Sequence, residues 1–212
     1  MEAQNSKLRL GGMVSIQSKI LTRLRKYLRI AKASEIAERY LIMNGFDGAL
    51  ATLGVILGSY IAGVIDVRVV LSAGFGASFA MGISGAWGTF VAERTQRVKS
   101  IKELEKAMFA ELKNSIIGKA SRVAIVWLAL VDALSPILTS VVTLLPFIMS
   151  FYGLMPLGNA LIASVILNLM TLFTLGLFLG RISKSSMILQ GILMVLAGIF
   201  ASLFLLALGL AL

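Results

Sequence analysis

Cysteine and histidine are both absent from this chain of 212 residues, and their absence excludes much chemistry at once. Without thiol or imidazole there is no disulfide framework, no thiolate or imidazole metal site, no Cys or His nucleophile and no Ser-His-Asp triad. Any metal ligand must be a carboxylate, amide, hydroxyl, carbonyl or methionine thioether. Charge is scarce too. Only 14% of residues are charged, against about 25% in a soluble domain. A cleavable apolar core followed by a small-residue site is missing near the start, so no signal peptide is expected. No Asp-x-x-Asp pair is present, so an intramembrane enzyme acting on lipid or polyprenyl phosphate finds no support, and no enzyme is expected.

What is present is apolar. Hydrophobic residues make up 58% of the chain and mean hydropathy is +0.93. This composition points to an all-α integral membrane protein. The net charge of +10 could suggest nucleic acid. The basic residues instead flank hydrophobic runs, which favours the lipid bilayer as partner and excludes nucleic acid.

Five spans are expected, each near the roughly 20 residues that cross the hydrocarbon core. They fall at about 41–63, 69–91, 123–149, 157–179 and 187–210. The third is expected to break at Pro136 and end at Pro146. Residues 1–13 are polar. Across 14–39, Ile16, Ile20, Leu24, Tyr27, Leu28 and Ala31 recur at three- and four-residue steps among lysines and arginines. That spacing predicts an amphipathic helix lying in the interface. The chain thus divides into a basic amphipathic segment (1–40), two spans (41–91), a connection (92–122) and three spans (123–212). The connection places Ile101, Leu104, Met108 and Leu112 at helical spacing, which predicts one cytoplasmic helix continuing toward the third span.

Lysine and arginine set the orientation. Nine precede the first span, eight lie in 92–122 and two, Arg181 and Lys184, lie in the turn near 181–186. Arg68 alone lies on the other side. Nineteen of the twenty therefore share one side, which predicts a cytoplasmic N-terminus.

Two carboxylates lie well inside the spans, Asp47 and Asp132. Each costs roughly 2.5 kcal/mol or more at the bilayer centre, so each needs a reason. Met43, Asn44 and Asp47 are three and four residues apart, on one helix face. Carboxylate, amide oxygen and thioether together suit a partly hydrated divalent cation, with a proton competing. Gly45 and Gly48 flank the site. The competing structural reading is that Asp47 caps a helix or bonds a neighbouring one. Asp132 could serve as a proton relay or as an interhelical hydrogen-bond partner. Glu93 reads as a solvated or capping residue. Glu103, Glu105 and Glu111, interleaved with lysines, read as a solvated face or as a cation-collecting surface. Gly54 with Gly58, and Gly74, Ser78 and Gly82, have the small-xxx-small spacing of closely packed helices. Asn159 and Asn168 are expected to bridge helices.

The stretch NGFDGALATLGVILG resembles the first-span signature of the vacuolar iron transporter family. SGAWGTFVAERTQ is similar to its second span and SPILTSVVTLLPF to the end of its third. The resemblance covers roughly residues 35–210. It implies a homodimer that exchanges ferrous or related divalent ions for protons, with the pathway between the first spans of two subunits. Asp47 takes the place of the family's first-span Asp. In the register that matches Gly88, Phe90 and Gln96, the family's Met falls on Gly85 and its Glu on Thr89. Met81, one turn away, is expected to substitute. The family's metal-binding helices would fall in 92–122, where Glu93, Glu103, Glu105 and Glu111 form a reduced set. The expectation is a proton-coupled transporter of Fe2+ or Mn2+ in a cell membrane, with no permanently bound cofactor. The alternative is a non-transporting membrane scaffold or assembly protein.

Overall fold

A computed structural model describes residues 22–64, 66–112 and 115–211. The first part of the expected amphipathic helix, 14–21, lies outside the described residues. Among those described, the fold is all-helical and has no strand. After the helical residues 22–30, five long helices follow in order: α1 (Ala33–Ile61), α2 (Val67–Met108), α3 (Ile116–Phe151), α4 (Leu157–Ile182) and α5 (Met187–Ala211). Each is long and apolar enough to cross a membrane. The chain is a multi-pass helical membrane protein.

Short polar residues start several helices. Asp66 Oδ1 accepts from the Arg68 N–H at 2.7 Å before α2. Ser115 Oγ accepts from the Gly118 N–H at 3.3 Å before α3. Both satisfy a donor that a helix start leaves without an intrahelical partner.

Three expectations need correction. The amphipathic helix does not run on to residue 39. Its described part, 22–30, ends in a turn at Ala31 and Lys32, where Lys32 takes a left-handed φ of 49°. The connection 92–122 is not one helix. α2 has 42 residues, or about 63 Å at 1.5 Å per residue, roughly twice the hydrocarbon thickness. It stops at Met108, where Phe109 turns left-handed at φ 50°. The Glu105 carboxylate holds the break by accepting from the Leu112 N–H at 2.8 Å. Finally, α3 neither breaks at Pro136 nor ends at Pro146, because both lie inside it. Around Pro136, Ser135 Oγ donates to the Val131 carbonyl at 2.6 Å, and Thr139 Oγ1 donates to the Pro136 carbonyl at 3.1 Å. Hydroxyls and neighbouring helices let a spanning helix keep its prolines.

Two compact units can be separated. One gathers the described residues up to Ile36 with Phe90–Leu128. Within it, Arg97 pairs with Glu93 at 3.0 Å and donates to the Ala31 carbonyl at 3.4 Å. The other gathers Ala37–Thr89 and Ala129–Leu212. Its apolar core is Ile56, Val70, Leu144 and Phe147. Lipid is as apolar as leucine, so close van der Waals approach must join these helices. The buried stripe Val70, Gly74, Ser78, Gly82 and Thr89 of α2 supplies it. A Cβ on Gly82 would come within 2.6 Å of the Ala133 carbonyl oxygen on α3. α1 and α3 approach as closely, since a Cβ on Gly48 would fall 2.5 Å from Pro136 Cα.

Candidate functional site

The two intramembrane carboxylates have opposite surroundings. Asp132, on α3, is 3% exposed. Asn44 of α1 donates its Nδ2–H to Asp132 Oδ1. Thr89 of α2 donates its hydroxyl to Oδ2 at 2.5 Å. Gly85, one turn before Thr89, makes room: a Cβ there would lie 3.1 Å from Oδ2. One carboxylate thus ties three helices together.

A polar seam continues from that knot. Thr52 Oγ1 of α1 donates to Ser140 Oγ of α3 at 2.7 Å. Both this pair and Asn44 with Asp132 are 88 residues apart. α1 and α3 therefore run parallel in a single register. Ser140 Oγ also donates to the Gly48 carbonyl at 3.2 Å. From α4, Asn168 Nδ2 donates to the Ala49 carbonyl at 2.8 Å and to Thr143 Oγ1 at 3.1 Å. Hydrogen bonds of this kind are worth on average about 0.6 kcal/mol each inside a bilayer.

Asp47 lies on an exposed part of α1. It makes no hydrogen bond or ion pair among the described residues. With Arg39, Ile42, Met43, Phe46, Leu179 and Met194 it lines a cavity of about 210 Å³. The residues around the cavity therefore include one acidic side chain, two methionines and one arginine. Oxygen and sulfur donors together suit a borderline divalent ion better than a hard one.

The expected site residues separate accordingly. Asp47 and Met43 meet in the cavity. Asn44 does not join them; it is bonded to Asp132. Met81 is half-buried on α2 and does not line the cavity, where Met194 of α5 supplies the second thioether. Gly45 and Gly48 let α1 approach its neighbours closely. They face α3, where added Cβ atoms would meet Thr139 and Pro136. Asn168 bridges helices as expected, while Asn159 is exposed.

The four glutamates do not assemble. Glu93 is paired with Arg97, and Glu105 accepts from Leu112. Glu103 lies among lysines, and Glu111 is exposed. Among the described residues, no three carboxylates come together where a metal could be held. Thr89, Gly85 and Met194 were not anticipated as site residues. Thr89 carried two signals, its place seven residues after Gly82 on the small-residue face of α2 and its alignment, like that of Gly85, with a second-span site position of the family it resembles.

The fold and the paired carboxylates thus describe a five-helix membrane protein with one buried and one open acidic group. The chain is 33% identical over 164 residues to an uncharacterized protein of Methanocaldococcus jannaschii, a match spanning 76% of this chain and 82% of that protein. It belongs to the same family as that archaeal protein. No family model matches the chain, and no solved structure does.

Proposed function

We propose that the protein is a divalent-cation transporter of the cell membrane, proton-coupled and homodimeric, with Fe2+ and Mn2+ as the first ions to test. The observation that carries this reading is the Asp47 cavity. A carboxylate on a membrane-crossing helix is costly, and this one has no protein partner among the described residues to offset the cost. An ion or a proton would offset it. One carboxylate cannot stabilise both at once, so binding the ion releases the proton, and the two are exchanged. Met43 and Met194 would complete the ion's coordination. Asp132, Asn44 and Thr89 hold the helices that present Asp47. The homodimer follows from the resemblance of the first span, and the exposure of Met43 and Asp47 leaves that face of α1 available to a second copy.

The test is ferrous-ion flux into proteoliposomes under an imposed pH gradient, comparing Asp47→Ala with the parent. The reading predicts loss of flux. Equal flux would remove Asp47 from the pathway, and no flux of any divalent ion in the parent would remove the class.

A second reading, a non-transporting scaffold or assembly protein, draws on the satisfied bonding of Asp132. It predicts no ion flux, and it predicts that substitutions at Asp47 disturb oligomerisation instead.

A further inference from the structure

The unit built from Phe90–Leu128 holds a cavity of its own, about 580 Å³, between the outer part of α2 and the start of α3. Its lining combines apolar and cationic side chains. Phe90, Ile125 and Val126 stand at the ends of the second and third apolar runs. Arg94 follows Phe90 by one turn, and Arg122 precedes Ile125 by three residues. Both arginines are exposed and both line the cavity, with Lys102 farther out on α2. One carboxylate, Glu105, shares it, and its Oε1 is already bonded to the Leu112 N–H at 2.8 Å. Three cations against one carboxylate leave the cavity positive. Val98 and Ile101 continue its apolar wall along α2, so the cations stand beside apolar surface throughout.

We propose that this cavity seats the headgroup of an acidic phospholipid, with the phosphate between Arg94 and Arg122 and an acyl chain leaving past Phe90 and Val126. Guanidinium groups suit the planar, multidentate recognition of phosphate. The occupant must be amphipathic, because a free anion would leave the apolar wall unmatched. The basic residues also fall on the side that the charge count assigns to the cytoplasm, where anionic lipid is concentrated. This assignment is independent of the ion site, which lies in the other unit.

The experiment is native mass spectrometry of the purified full chain with equal amounts of phosphatidylglycerol and phosphatidylcholine. The parent is expected to retain phosphatidylglycerol preferentially. Arg94→Gln with Arg122→Gln should weaken that retention roughly thirtyfold, about fivefold for each cation removed near an anionic lipid. Lys99→Gln with Lys106→Gln removes the same charge from exposed α2 positions outside this cavity and should leave retention near the parent's. Equal loss in the two double variants would reduce the effect to diffuse attraction and overturn the site. So would equal retention of the two lipids by the parent, a comparison that needs no variant to fold. Displacement of the lipid by millimolar inorganic phosphate alone would also overturn it, because the cavity would then be a site for the free anion.

Discussion

Asp47 and Asp132 are the same residue type, each well inside a spanning helix, yet their surroundings separate two roles. Asp132 is buried, and its oxygens accept from Asn44 and Thr89 on two other helices. Asp47 faces a cavity, with thioethers near it and no hydrogen-bond donor engaged among the described residues. The first carboxylate is committed to joining helices. The second is the one that the proposed function assigns to the ion. A carboxylate's cost in a membrane can be offset by protein donors, as at Asp132, or by a ligand, as proposed for Asp47.

Substitutions can break or sharpen this contrast. The largest effect is expected at Asp47. Its replacement by Ala should lower ferrous-ion flux by about a hundredfold, the scale on which loss of an ion ligand is felt, while thermal stability stays within about 0.5 kcal/mol of the parent. A large fall in stability instead would move Asp47 into the structural class. At Asp132, Ala leaves the donors of Asn44 and Thr89 without their acceptor. Stability in a denaturation series should fall by about 2 kcal/mol, and an unchanged midpoint would show that the knot does not hold the helices.

Gly48→Ala comes next. Its methyl group would meet the Pro136 backbone at 2.5 Å, where nothing flexible can yield. Overpacking of this kind costs about 1–3 kcal/mol, so the thermal midpoint should drop. Gly58→Ala is the control, since a Cβ there meets nothing within 4 Å. Smaller still, Met194→Leu should raise the apparent KM for ferrous ion severalfold, while Met81→Leu leaves it unchanged. The reverse order would return the second thioether to α2. Thr89→Val removes one hydrogen bond and should cost about 0.6 kcal/mol, with Thr89→Ser restoring most of it.

Much of the fold was legible in the sequence because long apolar runs have one solution in lipid, the helix. The ends were less legible. The break at Phe109 depends on a left-handed residue and on the Glu105 bond to Leu112, neither of which periodicity shows. Pro136 read as a break because, in water, a helix has no ready substitute for a lost hydrogen bond. Within the candidate site, Asp47 and Met43 could be named from cost and spacing. The pairing of Asn44 with Asp132 could not, because nothing local links positions 88 residues apart. Asn44 was accordingly assigned to the neighbour it has in sequence rather than the one it has in space. Met194 was missed for the same reason. It comes from the last span, and only packing brings it beside Met43.

The central claim is that Asp47 binds the transported ion and Asp132 holds the helices. Asp47→Asn tests it most directly, since it keeps the side chain's size and removes its charge. Ferrous-ion uptake and thermal unfolding should be measured on the same proteoliposome preparation. Loss of uptake with an unchanged unfolding midpoint is the predicted result. Parental uptake by Asp47→Asn would contradict it.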